Sequence, residues 1–301
     1  MNTKTIALFF CLLLDVSVMA QTGTLTRTIR LKLSAGDLAS GIHAAEDHKL
    51  KTGVDAEYLD AIGWLARGAE MLKQYDVATQ FVAELRREIK EEKTELLAPL
   101  GAAIEVEGRV LAVRKGRKAA KEFWEKEFAV AKNIGLRARI RKNINLLWLE
   151  GQPAPEISQA EFAGPQPPTL ASLKGKPVLL FLWAHWCGDC RAQAGALSRV
   201  YQKYKAQGLA VLAPTRFYGT GAQDKTATPV EEKAHITKVW AESYAGLADV
   251  PIPIETEMMV QYGVAATPTF VLIDRKGNVR LYAPTRLSEA ELARQIEAVL
   301  K

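Results

Sequence analysis

The run Phe181-Leu182-Trp183-Ala184-His185-Trp186-Cys187-Gly188-Asp189-Cys190 constrains this chain more than any other. It opens inside Val178-Leu179-Leu180-Phe181-Leu182, which is short, apolar and without helical periodicity, as a buried strand is. It closes at Cys187-Gly188-Asp189-Cys190-Arg191, where a helix can begin. Cysteines at this spacing close a small disulfide ring or stand as a dithiol. At a helix N-terminus, unpaired amide N–H groups and the positive end of the dipole favour a thiolate. Such a setting lowers a thiol pKa from roughly 8.5 to about 3.5–7.5. Half of a zinc site is the competing reading, but structural zinc needs a closed tetrahedral ligand set. The chain has no second Cys-x-x-Cys and no His pair at ligand spacing, so no metal is expected and redox chemistry is the reading kept.

Residues 1–20 read as a segment outside the fold. Lys4 gives a positive start, residues 6–14 are apolar, and Val18-Met19-Ala20 resembles a cleavage site, the pattern of a secretory signal peptide. The apolar run falls short of the ~20 residues that span a bilayer. An exported, periplasmic protein is expected. Cys11 would leave with the signal, so of 3 cysteines only Cys187 and Cys190 would remain. The mature chain then holds no structural disulfide, only a reactive pair in a compartment where disulfides persist.

At 301 residues the chain should hold about two domains, and 48% hydrophobic with 25% charged residues excludes a disordered or fibrous class. The net charge of +6 is not a nucleic-acid footprint, because Arg86, Arg87, Lys90 and Lys93 alternate with Glu88, Glu91 and Glu92 as on a solvated helix. Arg137-Ala138-Arg139-Ile140-Arg141-Lys142 is the densest basic block and a candidate contact for anionic surfaces.

Residues 21–34 alternate between apolar and polar, which predicts a short strand or extended arm. Helical spacing dominates from 34 to 150. Asp55 is an N-cap for a helix carrying Tyr58, Ile62, Leu65, Ala69 and Leu72 on one face, and a second helix covers 77–93. Further helices are expected over 102–113 and 118–134. Ala78-x-x-Phe81 and Ala120-x-x-Phe123 occupy comparable places in these pairs, which suggests tetratricopeptide-like hairpins or an irregular bundle. Tyr58, Trp124 and Trp148 are expected in the core. The Pro/Gly cluster at 151–168 marks a boundary, giving an all-α region over 21–150 and a second domain over 151–301. The second domain reads β-α-β-α-β-β-α. Its strands lie at 178–183, 209–213, 269–273 and 279–282, its helices at 191–206, 229–244 and 289–300. Gly263 ends a short helix, and Ser288 with Glu291 forms a capping box.

Trp186-Cys187-Gly188-Asp189-Cys190 before a helix, and Ala266-Thr267-Pro268-Thr269 before a later strand, resemble the thioredoxin superfamily. Pro153-Ala154-Pro155, Leu173-Lys174-Gly175-Lys176, the extra helix at 229–244 and Tyr262-Gly263-Val264 are similar to its exported TlpA/ResA-like branch, related to the AhpC/TSA redoxins. The resemblance covers about 151–301. It implies an α/β thioredoxin-like fold with a central mixed sheet flanked by helices, and no organic cofactor. It also implies Cys187 as nucleophile, Cys190 as resolving thiol, and a cis Thr267–Pro268 bond whose backbone, with Trp186, receives an extended substrate. The partners it implies are disulfide-bearing proteins and an electron-donor thiol protein, a membrane-bound one among the candidates.

Two departures stand out. Asp189 occupies the place where the family usually has proline, and a carboxylate there would oppose a Cys187 thiolate and favour a reducing couple. Phe181 replaces the buried acid of thioredoxin, leaving Glu231, Glu232 and Glu242 as candidate proton acceptors. His185 either tunes the thiolate or is an exposed loop residue without a role. A peroxiredoxin-like peroxide reductase is the alternative activity. A partner-binding helical module over 21–150 with an accessory redox domain is the non-enzymatic one.

Overall fold

The computed structural model describes residues 24–300, so the signal-peptide reading and Cys11 lie outside the described residues. The chain divides into two compact units, one ending at Ala120 and the other beginning at Lys121.

The first unit is helical: α1 (Thr24–Ser34), α2 (Leu38–Thr52), α3 (Ala56–Met71), α4 (Tyr75–Glu88) and α5 (Leu97–Lys115). Of the stretch expected as a short strand or extended arm, the described residues 24–34 instead form α1. Leu25 and Ile29 are spaced to lie on one helical face as well as on one strand face, and both are buried where α1 packs on α2 and α3. Asp55 caps α3 as expected, accepting the Tyr58 N–H at 2.7 Å. α3 is the centre of this unit, with Leu59, Ile62, Leu65 and Ala69 buried against its neighbours.

α6 (Arg117–Val130) runs across the division, and α7 (Ile134–Trp148) lies in the second unit. The division therefore precedes the Pro/Gly cluster, for a physical reason: α7 packs on α10 (Thr256–Gln261). Arg137 Nη1 pairs with Glu257 Oε2 at 2.8 Å, and Asn145 Nδ2 donates to Gln261 O at 3.1 Å. Arg137 and Arg141 also stand over the Phe128 ring, at 4.8 and 4.1 Å. Two basic residues of the block, Arg137 and Arg141, are thus engaged within the molecule. Trp124 is buried, but Trp148 is 38% exposed, against expectation, with Lys121 Nζ 5.3 Å from its ring centroid.

The remaining elements are β1 (Phe162–Ala163), β2 (Val178–Leu182), α8 (Gly188–Tyr204), β3 (Ala210–Leu212), α9 (Pro229–Ser243), β4 (Ile252–Pro253), β5 (Thr269–Ile273), β6 (Val279–Ala283) and α11 (Glu289–Leu300). The main sheet has the order β3-β2-β5-β6, with β2 parallel to β3 and antiparallel to β5. β1 and β4 form a small antiparallel pair. This is the thioredoxin-like mixed sheet flanked by helices.

β2 is buried on both faces, which is why it reads as an unbroken apolar run. Leu179 and Phe181 face one core with Leu197 and Tyr204 of α8, Ile236 and Trp240 of α9, and Ile296 of α11. Val178, Leu180 and Leu182 face the other with Met258 and Met259 of α10. At the start of α11, Ser288 Oγ accepts the Glu291 N–H, but the Glu291 carboxylate turns to Arg294 and Gln295, so only half of the expected capping box forms.

Candidate active site

The Trp183–Cys187 loop leaves the carboxyl end of the central strand β2, where α/β folds place their ligands. Its backbone is pinned from both sides. Trp183 N–H donates to Pro214 O at 3.1 Å, and its indole Nε1–H donates to Ala213 O at 3.0 Å. Thr215 Oγ1 donates back to Trp183 O at 2.8 Å. The Trp183 ring packs against Trp240 and Tyr244, centroids 5.0 and 5.2 Å away, so the inserted helix α9 holds the loop by its aromatic end.

Cys187 is the N-cap of α8, which therefore begins nearer the motif than the expected 191. Its Sγ accepts the Cys190 N–H at 3.0 Å, and the two sulfurs are joined in a disulfide with the Cα atoms 5.2 Å apart. Cys187 is 4% exposed and Cys190 is sealed. Thr267–Pro268 is cis, and Thr267 O stands 3.5 Å from Cys187 Sγ, so the loop before β5 adjoins the sulfur pair. Trp186, 48% exposed, rests edge-on against Tyr218 at 5.4 Å. Of the residues singled out from sequence, Cys187, Cys190, Trp186, Asp189, Thr267 and Pro268 are thus brought together around one disulfide.

Asp189 lies in the first turn of α8, half exposed, with Oδ1 3.3 Å from Arg286 Nη1. A counter-ion for this carboxylate was not legible from sequence, because Arg286 lies far along the chain, before α11.

His185 corrects the reading as an exposed loop residue: it is buried, and its Nε2 lies 3.0 Å from Glu232 Oε1. Glu232, in the first turn of α9, is fully buried and also accepts the N–H groups of Tyr218 and Gly219 at 2.6 and 2.8 Å. Of the three candidate acids, Glu232 alone turns inward. Glu231 closes a capping box with Thr228, and Glu242 pairs with Lys238 on the surface. Burial pushes the His185 pKa below its ordinary value, against the pull of Glu232. Burial likewise raises the Tyr218 hydroxyl to about 12. Sequence reasoning missed Tyr218 and Arg216, whose guanidinium stands 4.1 Å over the Tyr218 ring; the polar stretch around them carries no periodic signal.

A Cys-x-x-Cys disulfide at the N-terminus of a helix, beside a cis-proline loop on a mixed sheet, defines a thioredoxin-like oxidoreductase. Residues 149–296 match the Redoxin family. Thioredoxin-like protein YneN of Bacillus subtilis (strain 168) is 28% identical over 151 residues, covering 49% of this chain and 79% of that protein. Thiol-disulfide oxidoreductase ResA of Bacillus anthracis is 28% identical over 129 residues, covering 43% of this chain and 66% of that protein. Among solved structures, a thiol:disulfide interchange protein of the thioredoxin family from Chlorobium tepidum TLS is 20% identical, with TM-score 0.39, over 50% of this chain and 99% of that one. The C-terminal half of the chain is thus similar to the redoxins and to ResA-like thiol-disulfide oxidoreductases.

Proposed function

We propose that this is an exported thiol–disulfide oxidoreductase that reduces protein disulfides, with Cys187 as nucleophile and Cys190 as resolving thiol. One arrangement carries the reading: Cys187 Sγ sits at the start of α8, accepts the Cys190 N–H, adjoins Thr267 O, and is the less buried of the two sulfurs. Negative charge on that sulfur meets an amide donor and the positive end of a helix. In the reduced protein the Cys187 thiolate attacks one sulfur of a client disulfide. The client S–S bond breaks, and its electron pair leaves on the other sulfur, which takes up a proton. Cys190 then gives up its proton and attacks Cys187 Sγ, breaking the mixed disulfide and releasing the second client thiol. The client gains an electron pair and protons, and the Cys187–Cys190 disulfide is left for a donor thiol protein to reduce. Trp186 and the backbone around Thr267 and Pro268 line the place where an extended client lies. Export is supported by the signal-peptide pattern of residues 1–20.

The test is trapping. Cys190→Ser should accumulate mixed disulfides with clients on non-reducing gels, and Cys187→Ser should accumulate none. The reverse pattern overturns the assignment, and rapid turnover of hydrogen peroxide in place of disulfides would favour a peroxide reductase.

A further inference from the structure

Two arginines stand near the motif without a carboxylate partner. Arg191 follows the motif directly, is exposed, and folds back so that Nη1 donates to His185 O at 3.0 Å. Arg216 approaches from the loop after β3 and lies over Tyr218, the ring on which Trp186 rests. Among the described residues neither arginine has a carboxylate within ion-pair distance. The motif's own carboxylate, Asp189, is neutralised by Arg286. Glu232 is spent inside the protein on His185 and two backbone amides. Asp224, on the loop before α9, is the opposing exposed charge felt at His185. One uncompensated guanidinium thus sits on the backbone that leads into Trp186, and another on the ring against which Trp186 rests.

Resting on the oxidoreductase reading above, we propose that Arg191 and Arg216 select clients whose reactive cysteine is flanked by acidic residues. Arginine suits this because its planar fork pairs with carboxylates, and Arg216 is held ready by stacking on Tyr218. Trp186 supplies the apolar contact that any extended peptide makes, and the guanidinium groups decide which peptide stays. Exposed pairs of this kind act chiefly on encounter and discrimination, and are weakened by salt.

The experiment uses the full mature chain, reduced, with symmetric disulfide dimers of three short peptides as oxidants. The peptides differ only in the residues beside the cysteine, which are Asp, Ser or Lys. Each rate is divided by the rate of the same peptide with dithiothreitol, which removes differences in intrinsic reactivity. The Asp peptide should oxidise the protein roughly fivefold or more faster than the Lys peptide at low salt, as expected for a few exposed charge pairs. The ratio should shrink toward one in concentrated sodium chloride. Arg216→Glu and Arg191→Glu should each lower the ratio, and together should invert it. Equal normalised rates for all three peptides, or a ratio untouched by both substitutions, overturn the selection while leaving the oxidoreductase reading standing. No oxidation by any peptide, the Ser peptide included, overturns both.

Discussion

The imidazole of His185 and the carboxylate of Glu232 meet at 3.0 Å with side chains 1% and 0% exposed, fastening the loop that carries the cysteines to the inserted helix α9. The carboxylate also satisfies two backbone N–H groups of the loop after β3. Glu232→Ala removes the acceptor from the buried His185 ring and from two part-buried backbone N–H groups at once. Leaving a buried hydrogen-bonding group unmet costs about 1–3 kcal/mol. Chemical denaturation should show a loss in that range in both redox states; a loss under about 1 kcal/mol would mean that water replaces the carboxylate.

The same pair sets a pH dependence. The folded pKa of His185 is depressed by burial, with His235 adding to the depression and Glu232 and Asp224 opposing it. The unfolded chain therefore binds more protons below about pH 6.5, the ordinary histidine value. This contribution is fully present above pH 6.5 and is lost as pH falls through the depressed folded value. Stability measured from pH 8 to pH 5 should decline more steeply in the wild type than in His185→Gln. Parallel profiles would show that other groups carry the decline.

How much of this was legible in the sequence depended on whether the partner was local. The β-α-β-α-β-β-α order and the all-α region before it were, because buried strands and one-faced helices write their periods into consecutive residues. Asp55 capping Tyr58 was legible for the same reason. The site's disulfide pair lay within one turn of helix. His185 was not, since a lone histidine gains its meaning from Glu232, 47 positions away. Residues 21–34 failed differently: Leu25, Ile29 and Leu33 satisfy strand alternation and a helical face equally, and packing against α2 and α3 chose the helix. The contacts of Arg137 and Arg141 were not legible because Glu257 and Phe128 are remote in sequence or on another helix.

The docking of α7 also requires a glycine at 263. Gly263 has φ +64, and a Cβ there would lie 2.5 Å from Lys142 N and 2.7 Å from its Cα, both backbone atoms that cannot swing aside. Gly263→Ala therefore combines left-handed backbone strain of about 1–2 kcal/mol with displacement of α7. The expected result is a melting temperature lowered by several degrees, with faster protease cleavage between α7 and β1. An unchanged melting temperature would mean that α7 contributes nothing to the second unit.

Asp189 and Arg286 make opposite predictions from one ion pair. The Asp189 carboxylate stands in the first turn of α8 near the sulfur that becomes a thiolate, and Arg286 offsets it at 3.3 Å. Asp189→Asn removes the opposing charge and leaves the guanidinium behind. The reduced form is then stabilised and the couple becomes more oxidising. A charge at a helix terminus is worth about 0.3–1 kcal/mol, and about 1.4 kcal/mol equals 30 mV for a dithiol couple. The expected rise is on the order of 10–20 mV by that conversion. Arg286→Gln unmasks Asp189 and should lower the potential by a similar amount. The double variant should return close to the wild type, because the pair contributes little net charge at the sulfur. Glutathione redox titrations of the four proteins measure this, with thiolate absorbance against pH reporting Cys187 directly. If both single substitutions move the potential in the same direction, the ion pair is a fastening between α8 and the segment before α11, and the couple is set by the helix and by the Cys190 amide alone.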